Sequence, residues 1–164
     1  MYSIIVNVSK QLLTLYDEKA DGQRIIVAEY PVSTSKYGTG NKEGSFKTPL
    51  GRHQITEKIG DGMAEDEVFI GRLAKGRLSA LNQKGVALPE DIITARILRL
   101  SGMEAGVNQG EGIDSFDRYI YIHGTDDEVN ISKPVSHGCV RMRNHDIMEL
   151  YDQIEVNTDV LIEA

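Results

Sequence analysis

The segment Arg118-Tyr119-Ile120-Tyr121-Ile122-His123 alternates strictly along its length. A period of two belongs to a β-strand, with Ile120 and Ile122 on one face and Tyr119, Tyr121 and His123 on the other. The isoleucine face has to be covered, so the chain must build a second layer against it. Other segments offer the strands to do so. Residues 3–8 and 12–16 are short β-rich runs around Ser9-Lys10-Gln11, the pattern of a hairpin. Residues 24–33 form a third strand candidate, and 52–58 a fourth after Thr48-Pro49-Leu50-Gly51. Between these two, Ser33 to Asn41 is rich in Gly, Ser and Asn and reads as a loop.

Residues 60–115 are less regular. Pro89-Glu90-Asp91 has the form of a helix start, while residues 92–100 fit either helix or buried strand, with Thr94 and the short length favouring strand. The stretch reads as an insertion shaping one side of the domain, and as a candidate lid. Further on, Asn144 is placed as an N-cap, and Ile147, Leu150, Tyr151 and Ile154 follow at helical spacing. Residues 160–163 close with a short strand. The expectation is one domain over residues 1–164, mainly β with one or two helices, sandwich-like or barrel-like.

A chain of 164 residues, 40% of them apolar, can bury roughly two thirds of its unfolded surface and needs no staple. Its single cysteine excludes an internal disulfide. The formal net charge of −7 argues against a nucleic-acid partner, which wants a basic field. No apolar run approaches the roughly 20 residues of a membrane span. Met1 to Asn7 lacks a basic region followed by a long apolar run, so no signal peptide is expected.

That cysteine is the chemical focus. In Ser136-His137-Gly138-Cys139-Val140-Arg141, Gly138 permits a tight turn that could expose the sulfur. The backbone N–H groups of Gly138 and Cys139 could then meet a developing oxyanion. A thiol with a pKa of about 8.5 needs a base. His123, at the end of a strand and followed by Gly124-Thr125, is the better candidate. His137 would need a sharp local fold to reach the sulfur and reads as a brace or cleft wall. No obvious Asp or Asn follows His123 at a fixed spacing; Asp126 and Asp127 are near in sequence, but loop acids are usually solvated, and a backbone carbonyl could orient the ring instead. Arg141 reads as a carboxylate clamp, Ser136 as a brace or site-lining residue, and Tyr121 as a wall. His53 and His145 read as structural or exposed. A zinc site from His123, His137, Cys139 and His145 is disfavoured, because His137 and Cys139 are too close in sequence for the usual ligand pair. No metal or cofactor is expected.

These residues resemble the YkuD-type L,D-transpeptidase family, whose signature is His-Gly, a spacer, then Ser/Thr-His-Gly-Cys with Arg or Asn shortly after. Here it reads His123-Gly124-Thr125, then Ser136-His137-Gly138-Cys139-Val140-Arg141-Met142. Val32-Ser33-Thr34-Ser35 and Thr48-Pro49-Leu50-Gly51 resemble the family's upstream segments, so the likeness spans nearly the whole chain. It implies a β-sandwich catalytic domain acting on peptidoglycan stem peptides in the cell envelope, with acylation by carbapenems. Cys139 would be the nucleophile, His123 the base, and Gly124 the residue whose carbonyl orients it. Gly138 and Cys139 would form the oxyanion turn, with Ser136, His137 and Arg141 lining the site. The residues alone leave three outcomes open: transfer to an amine, hydrolysis by water, or a non-catalytic wall-binding domain.

Overall fold

The computed structural model describes residues 1–164 and is mainly β. Its strands are β1 Tyr2–Asn7, β2 Leu12–Glu18, β3 Arg24–Ser33, β4 Gly51–Ile59, β5 Glu67–Ile70, β6 Leu73–Arg77, β7 Ile93–Gly102, β8 Tyr121–Thr125, β9 Val140–Met142 and β10 Asp159–Glu163. Two helices join them, α1 Leu78–Gln83 and α2 Asn144–Gln153. Hydrogen bonding runs in the order β4-β10-β1-β2-β3-β9-β8-β7, and β7 pairs back onto β4. The sheet therefore closes on itself, which satisfies its edges and leaves an interior to fill. The β5–β6 hairpin extends outward from β7. The expectation of a mainly β, sandwich- or barrel-like domain holds.

Strand alternation fills that interior. Ile4 and Val6, Leu13 and Leu15, Leu98 and Leu100, and Ile120 and Ile122 all join one buried cluster. Helix α2 contributes Ile147, Leu150 and Tyr151 to it, the face its spacing predicted. Each such side chain, fully buried, contributes about 1.5–3 kcal/mol. A helix this short is therefore held by its apolar face, not by propensity.

Four local expectations are corrected. Pro89-Glu90-Asp91 starts no helix; it leads into β7, whose Ile93 and Thr94 pair with β8 and β5. The sheet offers this β-branched run partners on both sides, and that outweighs a local start signal. Strand β8 begins at Tyr121, because Tyr119 adopts a left-handed backbone (φ +56°) that turns the chain and leaves its ring exposed. Asn144 is the first helical residue and Arg143 the cap. The Asn144 side chain is drawn inward, donating to Thr125 O at 3.1 Å and to Glu128 Oε1 at 2.8 Å. Finally, the β5–β6 hairpin and α1 lie in a stretch read only as irregular. The hairpin turns at Gly71 and Arg72, both left-handed (φ +57° and +66°), without the Asn-Gly pair that marks such turns in sequence.

Two of the remaining histidines take different places. His145 is exposed on α2. His53 on β4 is buried, its Nδ1 against Gly51 O at 3.0 Å and its Nε2 against Ser115 Oγ at 2.8 Å. Burial pushes its pKa down to about 4. The folded state thus binds this proton less readily than the unfolded state, and stability must rise with pH across that window. The contribution is complete above the ordinary value of about 6.5 and is lost as pH falls towards 4. It amounts to on the order of 3 kcal/mol. Urea titrations at pH 7 and pH 4.5 should show a smaller drop in His53→Gln than in the parent protein; equal drops would refute the assignment.

Candidate active site

Strands β8 and β9 run parallel, with Ile122 opposite Val140, His123 opposite Arg141 and Gly124 opposite Met142. Because side chains alternate, Ile122, Val140 and Met142 point into the core. The opposite face carries Tyr121 and His123 on β8, and Arg141 on β9 with Cys139 one step before that strand. Cys139 packs with Tyr121, Phe69 and Ile97, consistent with this face. His123 and Cys139 are thus diagonal neighbours across the strand pair.

His123 is buried, and its Nδ1 lies 2.6 Å from Gly124 O. A carbonyl oxygen only accepts, so Nδ1 carries the proton and Nε2 keeps its lone pair. Burial lowers the His123 pKa, and the ring is neutral at neutral pH. Gly124 is needed for close packing: a Cβ there would collide with Asn144 Oδ1 and Thr94 O. The inward-drawn Asn144 side chain therefore packs directly against Gly124.

Cys139 is half-buried and forms no disulfide. Its Sγ accepts the Tyr121 N–H at 3.3 Å and donates to Tyr119 O at 3.4 Å. Burial pushes the thiol up to about 11; the Tyr121 N–H and the charges of Arg141 and Arg118 pull against that rise, while Asp91 adds to it. The resting pair is therefore a neutral thiol and a neutral imidazole. Such a thiol reacts only if its proton is removed during attack, which requires a base.

The turn before Cys139 is tightly braced. Gly138 has φ +125°, a conformation that favours glycine. Ser136 is buried; its hydroxyl donates to Cys139 O at 2.6 Å and accepts the Gly138 N–H at 3.2 Å. Thr48 Oγ1 donates to Gly138 O at 3.0 Å, so the Thr-Pro-Leu-Gly segment pins the turn from the far side. Of the two N–H groups expected to meet an oxyanion, that of Gly138 is engaged by Ser136, and that of Cys139 has no partner. Tyr121 is buried, its hydroxyl accepting from Arg72 Nη1 at 3.0 Å.

Asp91 is the residue that sequence reasoning missed. Its Oδ1 accepts from Arg141 Nη2 at 2.6 Å and its Oδ2 from His137 Nδ1 at 3.2 Å. Burial raises its pKa, but His123 in its protonated form, the Arg141 charge and the two hydrogen bonds outweigh that and leave it lowered. Asp127 approaches the other side of Arg141 at 4.0 Å. Arg141 is buried and already holds a carboxylate from its own chain. The only hint in sequence was an acid before a strand, and nothing local marks it as a partner of residues 137 and 141. The four residues weighed for zinc do not converge.

The fold and this arrangement place the chain among cysteine-containing L,D-transpeptidase-like domains, and residues 1–162 match the YkuD L,D-transpeptidase catalytic domain family. The chain belongs to that family. It is 29% identical over 161 residues to YqjB of Bacillus subtilis, itself provisionally named an L,D-transpeptidase, covering 98% of this chain and 70% of that protein. A shorter stretch of 43 residues is 49% identical to YbiS of Escherichia coli, a protein of similarly provisional name, covering 26% of this chain and 14% of YbiS. Among solved structures, Bd1075 of Bdellovibrio bacteriovorus superposes with a TM-score of 0.60 at 23% identity, over 99% of this chain and 47% of that one. L,D-transpeptidase 3 of Mycobacterium tuberculosis, solved with a faropenem-derived adduct, gives 0.58 at 13% identity, over 99% and 60%. At these identities the structures establish a shared fold. The chain spans only about half to three fifths of their length.

Proposed function

We propose that the protein is a cysteine acyltransferase that cleaves the L,D bond before the terminal D-Ala of a peptidoglycan stem tetrapeptide. The observation that carries this reading is the neutral Cys139 thiol set diagonally from His123, a single-tautomer imidazole whose Nε2 is free to accept a proton. In the proposed sequence, Sγ attacks the scissile carbonyl carbon as its proton passes to His123 Nε2. The oxyanion takes the free Cys139 N–H, and the Gly138 N–H turns to it from Ser136. The C–N bond then breaks, His123 returns the proton to the departing D-Ala amine, and a thioester remains on Cys139. An amine acceptor attacks the thioester, gives up a proton to His123, and forms the new amide as the C–S bond breaks and the thiol is restored.

Within residues 60–115, we read the β5–β6 hairpin as the lid, since Arg72 at its turn reaches the hydroxyl of Tyr121, a residue that packs with Cys139. Tetrapeptide-bearing muropeptides incubated with the protein and read by mass test the function. Cross-linked dimers formed with loss of D-Ala are the expected result. Tripeptides alone would make water the acceptor, and unchanged muropeptides would sink the acyl-transfer reading.

A further inference from the structure

Arg141 is occupied by Asp91, so a substrate carboxylate needs another cation near the thiol. Arg118 is placed to supply it. It stands directly before Tyr119, whose carbonyl accepts the Cys139 S–H. Its guanidinium is fixed by the loop before β4: Nη1 donates to Gly40 O at 3.3 Å, and Nη2 donates to Lys47 O at 2.7 Å and reaches Ser45 Oγ at 3.5 Å. That same Lys47 carbonyl lies 3.4 Å from where a Cβ on Gly138 would stand. The guanidinium therefore sits beside the turn that carries the nucleophile.

Arg118 forms no ion pair, a state it shares with Arg52, Arg72, Arg96 and Arg143, whereas Arg24, Arg77, Arg99 and Arg141 each have a carboxylate partner; what sets Arg118 apart is its place beside the Cys139 turn. The three loop bonds leave about two of its five N–H groups unused. It lines a cavity of about 240 Å³ with Phe46, Tyr119, Ile120 and His137. Glu43 and Asp117 also border this cavity, and neither pairs with it. Burial weakens its charge, while the Cys139 sulfur once ionised and the nearby Glu43 support it.

We propose that Arg118 reads the carboxylate at the C-terminus of the acyl donor. In a donor ending in D-Ala, that carboxylate lies only a few bonds beyond the scissile carbonyl, so its receptor must stand next to the nucleophile. A guanidinium preordered by backbone carbonyls suits the task, since less side-chain freedom is lost on binding. This inference rests on the acyl-transfer reading for its substrate; its electrostatic core can be tested without that substrate.

Cys139 is the sole cysteine, so alkylation measured by mass reports this one site. The ratio of its rate with iodoacetate to its rate with iodoacetamide measures attraction of a carboxylate to the thiol. Arg118→Gln should lower that ratio about tenfold, and Arg24→Gln, a remote change, should leave it alone. Equal ratios in Arg118→Gln and the parent, or an equal fall in Arg24→Gln, would overturn the proposal. Arg118→Lys covers the case of a Gln variant that does not fold. It keeps the charge but loses the fork, and should lower the ratio about threefold; an unchanged ratio would again overturn it. A second arm compares donor tetrapeptides ending in carboxylate or carboxamide. Arg118→Gln should raise KM for the acid about tenfold and spare the amide; a parallel rise for both would refute recognition of the carboxylate. If the parent accepts neither donor, the transpeptidase reading fails, and the alkylation ratio still decides the role of Arg118.

Discussion

Cys139→Ala should abolish thioester formation with a stem-peptide donor, with no residual acylation detectable by intact mass. The reason is chemical: no other thiol exists in the chain, and the hydroxyls nearest the turn are committed. Ser136 bridges Cys139 O and Gly138 N, and Thr48 holds Gly138 O. Neither is free to replace the sulfur. Stability should change little, because the half-buried thiol contributes one small side chain to a satellite cluster and not to the main core. An adduct retained by a folded Ala variant would place the nucleophile elsewhere.

His123→Gln should lower the acylation rate by about 10²- to 10⁴-fold, the usual contribution of a positioned base. Glutamine can still donate to Gly124 O, so the variant keeps the local bond and loses only proton acceptance. The pH dependence separates base from scaffold. In the parent, burial holds the His123 pKa below the ordinary 6.5, so the imidazole remains an acceptor as pH falls below that value. Acylation should therefore persist into mildly acidic solution. In the variant, reaction must wait for the free thiolate, and its rate should climb with pH towards the thiol value of about 11. A variant with the parent's pH profile would remove His123 from the proton path and turn attention to His137, which the structure holds against Asp91.

Much of this site is legible in the sequence. The Tyr-Ile-Tyr-Ile alternation placed His123 on the face opposite Ile122, and the Gly138-Cys139 pair marked a turn. Both are local signals, set by backbone sterics and side-chain period. The β5–β6 hairpin was not legible, because its turn uses Arg72 in a left-handed conformation instead of a residue that announces it. The N-cap was misplaced for a related reason: Asn144 has the right side chain for a cap, but buried acceptors at Thr125 and Glu128 claim it first.

Sequence by itself determined the strand periods, the amphipathic face of α2, and the order in which His123, Gly138 and Cys139 reach the site. Tertiary structure alone decided which charges meet there. Asp91 reaches Arg141 across 50 positions of chain, and Arg118 reaches Lys47 O across 71. Those contacts follow from closure of β7 onto β4 and β8, a long-range pairing that leaves no periodic trace in the residues it joins. An acid and an arginine read in isolation are simply solvated charges. Once the closed sheet brings them together, one arginine, Arg141, is neutralised by its own chain, and another, Arg118, is held by backbone carbonyls without a carboxylate partner.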